Sequence, residues 1–285
     1  EITRLDYELG EYFGNAINGF IDEFNISKSE INAIASHGHT IFHLPDERIT
    51  LQIGCGTTIA LKTGIPTINN FRLKDVRSGG QGAPLVPIGD RFLFNQNNTA
   101  YLNIGGFANI SLQQDNNHLG FDICPVNIVL NEWSQKLGKP YDDGGQFAQE
   151  GKMDTNLVHQ LNNLTRYTTK TYHSLGSEWV EEWIKPLFNQ QADPRTILAT
   201  FTEHVAEQIV TVAHDFGVQT LYITGGGAYN THLIKTIKLK FRGNVEIPDN
   251  TVVEFKEALI FGFLGALFLR NEVNCLAEIT GAPSN

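Results

Sequence analysis

The residues best suited to chemistry in this 285-residue chain sit in a few short stretches. Phe71 to Pro87, FRLKDVRSGGQGAPLVP, sets Arg72, Lys74, Asp75 and Arg77 ahead of Ser78-Gly79-Gly80-Gln81-Gly82 and closes on two prolines. Glycines adopt φ > 0 and let backbone approach a ligand closely. Charges beside them suit a polar or anionic partner. In Gly120-Phe121-Asp122-Ile123-Cys124-Pro125-Val126-Asn127 a carboxylate ends a short apolar strand, where α/β proteins place reactive groups. Such a carboxylate can serve as a general base. By position alone a cap for the helix that starts near Val126 is the better reading of Asp122. Gly105-Gly106 and Thr224-Gly225-Gly226-Gly227-Ala228 each follow a strand, and backbone N–H groups at such turns receive phosphate oxygens. Both also serve as plain tight turns, and neither has the Walker or dinucleotide spacing. Together they suggest a nucleotide held between a hairpin and a helix start, with Gly226 at φ > 0 where backbone meets it. Tyr141-Asp142-Asp143-Gly144-Gly145 reads as a turn, or as a site for a sugar or a metal-bound water. His37 and His39 flank a glycine without Cys or carboxylate at ligand spacing, so they suit hydrogen bonding better than a metal.

The elements that must position these residues alternate. Leu5 to Phe24 repeats apolar residues at helical spacing, and Ile31 to Ser36 is a short strand running into His37-Gly38-His39-Thr40. Ile49 to Ile53 is a strand, Thr57 to Thr63 a helix, and Pro66 to Asn69 a strand feeding the charged glycine loop. Thr99 to Ile104 and Ala108 to Leu112 form a hairpin across Gly105-Gly106, and Leu119 to Ile123 is a third strand. Helical patterns cover Val126 to Leu137, Thr155 to Leu164, Ser177 to Phe188 and Ile197 to Phe216. Thr220 to Ile223 is a strand, and Tyr229 to Leu239 a helix. The alternation predicts α/β layers with mixed sheets. A polar cluster at Gln96-Asn97-Asn98 marks a boundary. The expected division is residues 1–98 in a first α/β domain, 99–255 in a second, and 256–285 as a C-terminal helix packing back toward the first.

Composition narrows the function. The net charge is −10 with no basic block, which excludes a nucleic-acid footprint. No apolar run reaches the ~20 residues of a membrane span, and Ala258 to Leu269 suits a buried helix. Cys55, Cys124 and Cys275 are widely spaced and read as reduced thiols of a cytoplasmic protein. Homodimerisation stays open.

In one order the chain carries SHGHTIFH, TLQIG, FR-x-x-D-V-x-x-GGQGAPLVP, LNIGGFANIS, GFD-x-x-P-x-N, YD-x-x-G, TGGGAYN and a terminal TGA. This series resembles the anhydro-N-acetylmuramic acid kinases over nearly the whole chain. The resemblance implies a two-domain actin/hexokinase/Hsp70-like ATPase fold with ATP in the cleft. It implies a cytoplasmic enzyme that opens the anhydro ring with water and phosphorylates O6, giving N-acetylmuramic acid 6-phosphate in peptidoglycan recycling. Asp122 is then the catalytic base on the attacking water. Arg72, Gln81, His37 and Asn127 face the amino sugar, with Arg72 on its lactyl carboxylate. Gly105, Gly106, Gly225, Gly226 and Gly227 hold ATP, and Mg²⁺ offsets phosphoryl charge; no residue is assigned to the metal. The chain departs from the family in lacking the opening M-S-G-T-S-L-D-G turn that contacts ATP phosphates, so it reads as N-terminally incomplete and its first domain as lacking strands. Asn70 replaces the usual Asp before Phe-Arg, and Ile123-Cys124 replaces a common Thr/Cys-Gly pair. The alternative is a catalytically silent or truncated homologue that binds a sugar or a partner without turnover.

Overall fold

The computed structural model describes residues 1–94, 96–114, 117–170 and 175–283. The chain divides into two compact units, Glu1–Phe94 with Glu257–Asn285, and Asn95–Lys256.

The first unit opens with α1 (Ile2–Glu23), whose Gly10 and Gly14 are both buried. A Cβ on Gly14 would lie 2.7 Å from that of Lys62, so the glycine pair lets the following helix pack against α1. Next come β1 (Ile34–Ala35), β2 (His39–Leu44), β3 (Ile49–Ile53), α2 (Gly56–Thr63), β4 (Thr67–Ile68) and α3 (Leu73–Arg77). β1 pairs parallel with β4, and β2 pairs antiparallel with β3. Strand β2 is not among the strands read from the sequence. Its alternation is broken by a register irregularity between Thr40 and Phe42, so no clean period of two reaches the sequence. The core of this unit joins Leu85 and Ile88 to Ile260, Leu264, Leu267, Cys275 and Leu276 from the C-terminal residues.

The second unit is built on a mixed sheet. Its strands are β5 (Thr99–Ile104), β6 (Phe107–Gln114), β7 (Asn117–Pro125), β8 (Thr220–Thr224) and β9 (Asn244–Glu246), in the order β7-β6-β5-β8-β9. The meander β5-β6-β7 is antiparallel, whereas β8 and β9 run parallel to β5. The expected hairpin and mixed sheet are both present; β9 is too short to leave a pattern. Packed with the sheet are α4 (Asn127–Gln135), α5 (Thr155–Asn162), α6 (Thr165–Thr169), α7 (Pro194–Asp215) and α8 (Thr231–Lys240). Pro194 at the first position and Asp193 accepting the Arg195 N–H start α7. Residues 177–188, expected as one helix, are a short α turn followed by π and 3₁₀ turns, the last of them holding Pro186. The chain ends with α9 (Asn250–Leu269) and α10 (Ala277–Thr280). No helix among the described residues is long and apolar enough to cross a membrane.

Buried in the second core, His204 bonds through Nδ1 to Asn162 Oδ1 at 2.6 Å and lies against the Tyr167 and Phe201 rings. Burial holds its pKa down at about 3. A depressed histidine contributes stability that is whole above the unfolded value near 6.5 and is lost as pH falls from there toward 3. The ring should therefore stay neutral in an NMR titration of the folded protein down to about pH 4. The folding free energy should weaken by up to about 1.4 kcal/mol per pH unit in that window. A His204 ring that titrates near its ordinary value would contradict this.

Candidate active site

Asp122 lies near the end of β7, half-buried, at an irregularity in the ladder. Asn109 pairs with Asp122 and Ala108 with Cys124, so Ile123 is the extra residue of a bulge. The bulge turns both Ile123 and Cys124 into the core, and it re-aims the neighbouring side chain. The Asp122 carboxylate accepts the Leu175 N–H at 2.8 Å, and its backbone carbonyl accepts a bond from Arg166 Nη2. Arg166 is buried, with its guanidinium 6.0 Å from the centre of the Trp179 ring. Val126 is the N-cap residue of helix α4 and no side chain caps it, so the capping role open to Asp122 is not the one it takes. Arg166 is a residue the sequence reading missed. A lone arginine 44 positions away carries no signal of the contact.

The glycine turns converge. The Gly105 and Gly106 carbonyls accept the N–H groups of Val126, Asn127 and Ile128, fastening the hairpin to the start of α4. The Gly105 N–H is itself taken up by the Phe107 carbonyl, so this donor does not point at a ligand. Gly105, Gly106, Asn127, Asn131 and Gly226 line one open groove of about 560 Å³. A neighbouring cavity of about 470 Å³ adds Tyr141, Asp142, Gly144 and Tyr229 to Asn127 and Gly226. Asp142 in that lining is held in place, because its carboxylate accepts the Phe147 and Ala148 N–H groups. Asn127, expected on the sugar side, thus lies with the glycines. The left-handed residue is Gly225, at φ 82, and not Gly226 as expected. A Cβ there would press on Asn103 Oδ1 at 2.5 Å, and one on Gly227 would run into the Ile104 side chain, whereas Gly226 faces open space.

The other expected site residues belong to the first unit. Arg72 donates from Nε to His37 Nε2 at 2.9 Å and from Nη1 to the Gly82 carbonyl at 2.7 Å. His37 Nδ1 meets the Gly38 carbonyl at 2.9 Å, which leaves Nε2 to accept from Arg72. Burial, and then the Arg72 charge, lower the His37 pKa, so the ring is neutral in this pairing. The fork expected for a ligand carboxylate has two of its donors engaged inside the protein. Arg72 is not the partner of Asp75, whose buried carboxylate is bonded elsewhere. Gln81 exposes its side chain and anchors its N–H on the Thr280 carbonyl at 2.7 Å. Among the described residues no group of three or more His, Cys, Asp or Glu is arranged to hold a metal ion.

The second unit thus joins a mixed sheet to glycine turns gathered at one groove. Residues 1–285 match the model of the anhydro-N-acetylmuramic acid kinases, and the chain belongs to that family. It is 36% identical over 299 residues to the anhydro-N-acetylmuramic acid kinase of Coxiella burnetii, covering 99% of this chain and 80% of that one. Identity to the enzyme of the same name from Acinetobacter baylyi is 33%, covering 99% and 82%. Among solved structures, the activator of 2-hydroxyisocaproyl-CoA dehydratase from Clostridium difficile, with bound ADPNP, superposes with a TM-score of 0.43. It is 17% identical and covers 79% of this chain and 88% of that one.

Proposed function

We propose that the chain is an ATP-dependent sugar kinase that hydrolyses the 1,6-anhydro ring of anhydro-N-acetylmuramic acid and phosphorylates O6. The observation that carries the reading is the meeting of Gly105, Gly106, Asn127 and Gly226 at one groove, in a chain that matches the family along its whole length. In this proposal Asp122 takes a proton from water as the water oxygen bonds to the anomeric carbon. The bond from that carbon to O6 breaks, O6 bonds to the γ-phosphorus, and ADP leaves with the electrons of the broken P–O bond. The Leu175 N–H holds the Asp122 carboxylate in place while it accepts the proton. The glycine turns receive the nucleotide, and Mg²⁺ enters with ATP as part of that substrate. Arg72, His37, Gln81 and Asn127 are the residues proposed to recognise the sugar. The product feeds cytoplasmic recycling of peptidoglycan. Incubation of the protein with the anhydro sugar and MgATP should give ADP and a sugar product heavier by one water and one phosphoryl group in mass spectrometry. Sugar binding without that product would instead support a silent homologue.

Arg72 gives a sharper check. Its remaining guanidinium protons have no protein partner among the described residues and are proposed to meet the lactyl carboxylate. Lysine cannot both reproduce the two internal bonds and reach a ligand. Arg72→Lys should weaken binding of the muramic sugar by roughly 1.5–3 kcal/mol. A glucosamine analogue without the lactyl group should lose much less in the same calorimetric titration. Equal losses for both sugars would make Arg72 only a structural support for His37 and Gly82.

A further inference from the structure

Thr280-Gly281-Ala282 and the glycine loop come from the two separate stretches of sequence that make up the first unit, yet they meet on one buried carboxylate. Asp75 is 2% exposed. Its Oδ1 accepts the Thr280 hydroxyl at 2.7 Å and the Cys275 thiol at 3.4 Å, and its Oδ2 accepts the Gly82 N–H at 2.7 Å. A second tie runs between backbones, from the Gln81 N–H to the Thr280 carbonyl at 2.7 Å. From Gly82 the connection continues through its carbonyl to Arg72 Nη1, and from Arg72 Nε to His37. The loop has little freedom to sit elsewhere. A Cβ on Gly80 would strike the Asp75 carboxylate, and one on Gly82 would strike the Val76 side chain. A desolvated carboxylate is tolerable only where its donors stay in place, so these bonds fix the loop as much as they satisfy the charge.

We infer that Asp75 and Thr280 are positioning residues for sugar recognition. They touch no substrate themselves, but they seat the loop that presents Gln81 and orients Arg72 and His37. The inference rests on the proposed sugar-binding role of those three residues. A merely structural pin would stabilise the unit without favouring one ligand over the other. A positioning pin acts on the sugar and leaves the nucleotide alone.

The test compares Thr280→Val, which keeps the shape and removes the hydroxyl, with Thr280→Ser, which keeps the hydroxyl. Calorimetry with 1,6-anhydro-N-acetylmuramic acid and, separately, with MgATP gives both affinities, and thermal unfolding monitors the fold. Thr280→Val should weaken sugar binding about tenfold and change ATP affinity by less than about twofold, the size expected for loss of one bond to a charged group. Thr280→Ser should bind both ligands as the parent does. Unchanged sugar affinity in Thr280→Val, or equal losses for sugar and ATP, would overturn the inference. If the unaltered chain fails to bind the sugar, the proposed function falls and takes this inference with it, a result that needs no variant to recognise.

Discussion

Asp122→Asn should lower turnover of the anhydro sugar by about 100-fold or more, the usual contribution of a general base, while sugar binding survives. The amide is nearly the same size as the carboxylate. Its carbonyl oxygen can still accept the Leu175 N–H, and the bond from Arg166 goes to the Asp122 backbone, which the substitution does not alter. The bulge that inserts Ile123 depends on backbone register and should also persist. What disappears is the capacity to take up a proton from water. The loss should therefore fall on kcat, with KM for the sugar nearly constant, because the interaction removed matters at the transition state. Steady-state kinetics of both proteins, with the fold checked by thermal unfolding, gives the comparison. Near-parental kcat would leave Asp122 as a strand-end residue held for structural reasons.

How far these sites could be read from the sequence depended on the range of the contacts. Elements stabilised by local patterns emerged well: the hairpin across Gly105-Gly106, helix α2 and strand β3. Residues 258–269 do form a helix within α9, but Leu259, Phe268 and Leu269 are exposed, so it is not the buried helix expected. Strand β2 was lost because an irregularity breaks its alternation. Residues 177–188 kept an amphipathic composition while their hydrogen bonding departed from the α pattern. Site residues divided in the same way. The glycine turns carry their own conformational signature, and the structure gathers Gly105, Gly106 and Gly226 around one groove. Their division of labour did not show, because what distinguishes Gly225 from Gly226 is the nearness of Asn103 and Ile104 across the sheet. The internal partners of Arg72 were hidden for the same reason. Its pairing with His37 spans 35 positions and the bond from Thr280 to Asp75 spans 205, and no local propensity reports such distances. Asp75 stands three positions from Arg72, but its buried carboxylate takes its donors from Gly82, Cys275 and Thr280 instead.

The three glycines after β8 permit a test in which sterics separates ligand from fold. Gly225 is held left-handed and Gly227 is pressed against Ile104, so side chains at either position strain the protein itself. Gly226 has neither restriction: no atom beyond its immediate chain neighbours lies within 4 Å of where its Cβ would be, and it borders both the groove and the adjoining cavity. Gly226→Val should therefore fold, and its branched side chain should project into the space proposed for the nucleotide. Loss of close backbone approach should weaken ATP binding at least about tenfold, or about 1.4 kcal/mol, and sugar binding alone should change little. Gly227→Val serves as the contrast. Forcing a side chain into Ile104 should lower stability by about 1–3 kcal/mol through overpacking, visible in thermal unfolding before any ligand is added. Calorimetry of Gly226→Val with MgATP decides the matter. A folded variant that binds ATP as tightly as the parent would make the glycine turn a packing device for Ile104, and the nucleotide would have to be held by other residues.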